Sequence, residues 1–176
     1  MIEKAKPKIE YMPGGREIII TTEYEAPRDM VYRAYTDPEL IRQWWGPREF
    51  TTTIEKNELK EGGVWRFVQK DREGKEYPFR GVYHTLSPSE FIVQTFEWEG
   101  MPGHVSLQTA RFDEKDGKTT VKAVAVFETV EDRDGMISSG MQKGVDEGAE
   151  RLGELLERLK SGEEMTEKKP VGIEAR

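Results

Sequence analysis

GMQKGVDEGAERLGELLERLK, Gly140 to Lys160, is the stretch whose periodicity decides the fold. At about 100° per residue, Met141, Val145, Ala149, Leu152, Leu155, Leu156 and Leu159 fall on one face. Lys143, Asp146, Glu147, Glu150, Glu154 and Glu157 fall opposite. Upstream, Ile137 continues the apolar stripe, and Glu131 and Asp132 supply the negative charge that suits a helix start. The pattern predicts one long C-terminal helix over 129–160 with a single buried face. Glu147 with Arg151, and Glu154 with Arg158, are ion pairs four apart in the favourable order.

Three glycines work against that helix. Gly140 flanks the apolar face, Gly144 sits at its edge and Gly148 lies inside it. Each costs about 1 kcal/mol relative to alanine in a helix interior. Two explanations compete. Either a strand or a large aromatic packs close against the glycines, or the missing side chains leave room for a ligand beside Met141, Val145 and Leu152.

Working outward, 16–25 (REIIITTEYE) is rich in β-branched residues and reads as a first strand. Two short helices follow. Pro27 opens the first, and Asp37-Pro38 supplies an N-cap and N1 pair for the second. Gly46-Pro47 stops it. From Phe50 to Glu128 turn signals divide the chain into six strands, at about 51–59, 64–70, 76–86, 90–98, 104–112 and 118–128. Short connections favour an antiparallel meander. The predicted architecture is α+β: a seven-stranded curved antiparallel sheet around the long C-terminal helix, with two short helices between strands one and two. Residues 1–15 are expected to form a flexible arm, 16–160 one domain and 161–176 a disordered tail.

Alternation places Ile92, Gln94, Phe96 and Trp98 on one face of their strand, and Trp65 with Phe67 on one face of theirs. Two strands are ambiguous. In 76–86, Phe79 and Tyr83 oppose Val82 and Leu86; in 104–112, Val105 and Leu107 oppose Ala110 and Phe112.

The 176 residues suffice for a sizeable core without staples. There is no cysteine, which excludes disulfides and thiolate chemistry. A net charge of -7, with no Lys/Arg run, argues against a nucleic-acid surface. The N-terminal MIEKAKPKIEYMPGG lacks an apolar stretch, so no signal peptide and no membrane insertion are expected, and a cytoplasmic protein is inferred.

The order of elements and four motifs together resemble the START/Bet v 1-like (SRPBCC) superfamily, with its helix-grip fold. Within it they resemble the activator of heat-shock-chaperone ATPase homologue family. The motifs are APRDMVYRAYTDPELIRQWWGP (Ala26 to Pro47), EGGVWRF (Glu61 to Phe67), YPFRGVYHTLSPSEFIVQTFEWEG (Tyr77 to Gly100) and GMQKGVDEGAERLGELL (Gly140 to Leu156). The resemblance implies an internal apolar cavity between sheet and long helix. It implies binding of lipids, polyketides or other hydrophobic small molecules, with cyclase- or hydrolase-like activity in a few members. Many relatives carry Gly-Trp where this chain has Gly144-Val145, which implies a larger or reshaped cavity here. The eukaryotic chaperone activator carries a separate N-terminal domain, which is not expected here; chaperone contact is an alternative without support in the sequence.

The chemistry-bearing residues are few. His84 and His104 are the only histidines, and neither has a partner at metal-ligand spacing, so no metal and no cofactor is expected. The aromatic residues Trp44, Trp45, Trp65, Phe67, Phe79, Tyr83, Phe96 and Trp98 are either ordinary core or the wall of a ligand site. Gln94 is the polar group placed among them. His104 stands beside the Gly100–Gly103 loop, either as an ordinary surface histidine, the reading favoured, or near a cavity mouth. An enzyme would have to use Gln94, His104 or Tyr83 for general acid–base help. Binding of an apolar or aromatic small molecule is the function these residues favour.

Overall fold

The strand and turn signals condense into a single antiparallel sheet with helices on one side. The computed structural model describes residues 4–162. In chain order the elements are β1 (Lys8–Glu10), β2 (Glu17–Tyr24), α1 (Arg28–Thr36), α2 (Pro38–Trp44), β3 (Thr51–Asn57), β4 (Val64–Lys70), β5 (Glu76–Ser87), β6 (Phe91–Trp98), β7 (Ser106–Lys115), β8 (Lys118–Phe127), α3 (Val130–Ser138) and α4 (Met141–Ser161). The sheet order is β1-β2-β8-β7-β6-β5-β4-β3. It has eight strands rather than seven. The added strand, β1, lies in the N-terminal segment where the composition gave no element, and it pairs Ile9 with Ile20 of β2.

The local chemistry follows expectation at the short helices. Asp37 caps α2 by accepting from the Glu39 N–H at 3.0 Å, with Pro38 as the first helical residue. Gly46 adopts φ +89° immediately after the helix, a conformation that favours glycine. The strand β7 runs on to Lys115 because Asp116 and Gly117, both at positive φ, form a two-residue hairpin to β8.

Both ambiguous strands resolve for physical reasons. A β-bulge lies between Tyr83 and Thr85 of β5. Phe79 and Tyr83 face inward before it and Leu86 packs on the core after it, while Val82 is exposed. In β7 the inward set is Ser106, Gln108, Ala110 and Phe112; Val105 and Leu107 lie outside.

The single long helix predicted over 129–160 is two helices. Thr129 caps α3 by accepting from the Asp132 N–H at 3.0 Å. After Ser139, Gly140 turns left-handed at φ +86° and α4 begins at Met141. The apolar stripe hides this joint, since Ile137 and Met141 keep a four-residue spacing across it.

The core combines Ala149, Leu152, Leu155 and Leu156 of α4 with Val31 and Ala34 of α1, Leu40 and Ile41 of α2, and the inward side chains of the sheet. Arg133 of α3, 1% exposed, donates to Glu17 O at 3.1 Å and Met12 O at 2.9 Å and pairs with Asp134. It thereby ties the N-terminal segment to β2. Nearer the start of the chain, Ala5 packs against the core opposite Gly153 of α4. No helix among the described residues is long and apolar enough to cross a membrane. Most of the expected C-terminal tail, residues 163–176, lies outside the described residues.

Candidate functional site

Strand register arranges the inner face in rows. One row runs Trp65–Gly81 across β4 and β5 and continues Phe96–Ser106–Phe127 across β6 to β8. The next runs Tyr83–Gln94–Gln108–Ala125–Ile18. No Lys, Arg, Asp, Glu or His stands in either row.

Five of the expected aromatic residues form one contiguous cluster. Ring centroids are 5.2 Å apart for Trp45–Phe67, 5.3 Å for Trp45–Phe79, 4.6 Å for Trp65–Phe67, 5.4 Å for Phe79–Phe96 and 6.1 Å for Trp65–Phe96. Most meet at the tilted or edge-on angles that aromatic quadrupoles favour. Trp44 belongs elsewhere. Its Nε1–H donates to Ala34 O at 2.9 Å and its ring lies 4.9 Å from Tyr35, beneath α1. Trp98 is 37% exposed at the sheet margin, folded over Gly100.

Trp45 is held by its main chain. Its carbonyl accepts from Thr52 Oγ1 at 2.9 Å and from Gln69 Nε2 at 3.2 Å. Gln69 presses so closely on Gly46 that a Cβ there would stand 1.7 Å from its Nε2. On the other side, Arg151 of α4 donates to Gly46 O at 2.9 Å and Pro47 O at 3.1 Å. Burial pushes the Arg151 pKa down, and the neighbouring Arg48 charge adds to that.

The glycine question is answered by the same turn. A Cβ on Gly148 would lie 3.5 Å from Trp44 O, and one on Gly144 3.6 Å from the Pro47 ring. Both glycines therefore meet the α2–β3 connection at ordinary contact distance. The backbone of Trp44 and Gly46 and the ring of Pro47 fill the space, in place of the strand or aromatic ring expected of a close neighbour. Leu152 is fully buried in the core, whereas Met141 and Val145 remain half-buried nearer the Gly140 joint.

The expected polar residues separate as well. Tyr83 donates to Asn57 Oδ1 at 2.5 Å, and Asn57 Nδ2 donates to Thr36 O at 3.0 Å. Burial raises the Tyr83 pKa far above its ordinary value, so its hydroxyl stays neutral. His104 is exposed and sits 2.8 Å from Asp132 of α3, outside the inner face. Gln94 faces inward as expected. Directly opposite it is Gln108, hidden in the sequence by the ambiguous parity of its strand. The alternation Ser106, Gln108, Ala110, Phe112 carried that information, but only the burial of Phe112 selects it over Val105 and Leu107.

The concave face is packed unevenly. The principal core ends near Ile92 and Phe112, while Ile18 and Phe127 are buried outside it. Between them Gln94, Gln108, Ala123 and Ala125 face inward yet are only half-buried. Two surface clefts of about 520 and 510 Å³ lie elsewhere. The first is on the convex face by Val64, Arg80, Val82 and Val105; the second separates Lys4 and Lys6 from Glu23 and Glu157. Among the described residues no group of His, Asp and Glu could hold a metal ion.

A model of the Activator of Hsp90 ATPase homolog 1-like protein family matches residues 25–157. The chain belongs to that family. The match spans α1 to the last turns of α4, so the aromatic cluster and the glutamine pair both lie within the Hsp90-activator-homolog-like domain. Solved structures agree in fold. A protein from Arthrobacter aurescens is 20% identical, covering 86% of this chain and 91% of that one, with TM-score 0.79. One from Staphylococcus epidermidis is 25% identical, covering 86% and 94%, with TM-score 0.73. DynU16, a protein in the dynemicin biosynthetic locus, is 17% identical, covering 84% of this chain and 48% of its own, with TM-score 0.60. No curated protein matches the chain significantly.

Proposed function

We propose that this domain binds an apolar or aromatic small molecule on the concave face, between β6–β8 and the first turns of α4. The observation that carries the reading is the half-buried state of Gln94, Gln108, Ala123 and Ala125 at the centre of the inner face. Inward residues of a mid-sheet strand are normally sealed by the packed layer above. Here the strip is bordered by the partly buried Phe79 and Phe96 on one side, and the proposed site takes Met141 and Val145, half-buried at the start of α4, as its roof. Apolar walls with a few convergent polar groups are the usual make-up of a ligand site. Membership of the family and the biosynthetic setting of DynU16 support the same reading.

The catalytic alternative has less support, because His104 is engaged with Asp132 and Tyr83 with Asn57. Chaperone contact would draw on the exposed Val82, Val105, Leu107 and Val126 of the convex face. Titration with a neutral fluorescent dye such as Nile red separates these readings. Val145→Trp, which fills the strip from above, is expected to remove dye binding without lowering the melting temperature; Ala125→Leu fills it from below. Undiminished dye binding in both folded variants would refute the site.

A further inference from the structure

We infer that the ligand is neutral and carries a carbonyl or hydroxyl oxygen that docks between the amides of Gln94 and Gln108. This rests on the binding reading above and names the ligand class. The two glutamines are direct cross-strand partners on β6 and β7, a position that brings side chains within about 5 Å of each other at Cβ. Neither amide has a hydrogen-bond partner among the described residues. Ser106 precedes Gln108 by two residues on the same face; its hydroxyl is buried and unpartnered. So is the indole N–H of Trp65, in the adjoining row. Four inward polar groups in two adjacent rows are thus left unused by the fold. Leaving a buried donor or acceptor unpaired is costly, and Ser106 Oγ and Trp65 Nε1 are in that state. A ligand that covers the strip takes the water from the half-buried Gln94 and Gln108 amides and must replace those hydrogen bonds with its own oxygen.

Charge selects the ligand class. Neither row carries an ionisable side chain other than Tyr83, which is held neutral. The nearby buried cation, Arg133, is committed to Asp134, Glu17 O and Met12 O. A carboxylate entering the strip would lose its hydration with no counter-charge to replace it. A glutamine amide both donates and accepts. The pair can therefore donate an N–H to a carbonyl and accept a hydrogen bond from a hydroxyl, and it discriminates against an anion of equal size.

Three probes of one ring system test this: naphthalene, 2-naphthol and 2-naphthoate, titrated at neutral pH against tryptophan fluorescence and checked by calorimetry. Naphthol is expected to bind about tenfold more tightly than naphthoate, the ratio that corresponds to one unpaired group. It should also exceed naphthalene. Gln108→Leu and Gln94→Met, each checked for an unchanged melt, should erase the preference for naphthol over naphthalene while naphthalene binding holds or improves. Naphthoate binding as tightly as naphthol to the wild-type chain overturns the inference and leaves the binding site standing. A naphthol preference that survives both substitutions overturns it too. If none of the three binds, the small-molecule reading itself falls, and this with it.

Discussion

Arg151 of α4 donates to both Gly46 O and Pro47 O, at 2.9 and 3.1 Å, across the turn that follows α2. One guanidinium thus satisfies two carbonyls beside a left-handed glycine and fixes the residue before it, Trp45, against Phe67 and Phe79. The long helix positions the aromatic cluster through this turn.

Arg151→Met is expected to destabilise the domain by about 1.5–3 kcal/mol, the range for hydrogen bonds to a charged donor. It should also loosen Trp45. Urea unfolding gives the first quantity. A Trp45-dependent near-ultraviolet dichroism signal that is unchanged in the variant would contradict the second.

Gly148 has room for one carbon and no more. Gly148→Ala places its Cβ at ordinary contact from Trp44 O and should stabilise by about 1 kcal/mol through helix propensity. Gly148→Leu drives a branched side chain into main chain of the turn and should cost about 1–3 kcal/mol. Thermal melts that rank the two in the opposite order would mean the turn yields.

The convex face predicts an acid limb. Glu97 accepts from the Gly103 N–H at 2.6 Å and Arg80 Nε at 2.9 Å, and these bonds hold its carboxyl below the usual range. Arg66 does the same for Glu99. A depressed carboxyl contributes stability that is full above its unfolded pKa, about 4.3, and is lost as pH falls through the lower folded value. Stability should therefore decline below about pH 4.3. Glu97→Gln should be less stable at neutral pH and show a shallower decline. Denaturant midpoints across that range check both, and parallel curves for the two proteins would exclude the assignment.

Arg133→Leu removes the donors that hold Met12 O and Glu17 O. Amide exchange at Ile9 and Glu10 should then accelerate selectively, with β6 and β7 unaffected. Uniform acceleration would indicate that Arg133 supports the whole domain instead.

Much of this arrangement was legible in the residues. Asp37-Pro38 marked α2 to the residue, and five of the strands lie where the turn signals divided them, while β7 runs through the expected Asp113–Gly117 turn to Lys115. The misses have local causes. β1 is three residues long and exists only because β2 offers an edge; its own sequence, KIE, carries no period. The Gly140 joint preserves the apolar spacing on both sides, so a helical wheel cannot see it. The bulge at β5 switches the inward parity within one strand, which alternation read as contradiction. At the site, Gln94 was visible because Phe96 and Ile92 share its face. Gln108 and Ser106 were not, since their strand offers two plausible faces and tertiary burial alone decides between them. Arg133 lies in a polar helix; nothing local distinguishes an arginine that will meet two distant carbonyls.

The rims of the sheet carry a consequence for behaviour at high concentration. One rim is β1, three residues long, with Lys8 and Glu10 flanking its single apolar side chain. The other is β3, interrupted by a bulge between Ile54 and Lys56 where Glu55 pairs with Arg66. An open sheet is a template for unwanted strand addition, and short, charged or kinked borders are the usual protection. Both borders here are of that kind. The chain can thus keep a partly uncovered concave surface without its backbone seeding fibrous assembly, and crowding should produce neither cross-β signal nor dye-positive aggregates while the domain stays folded.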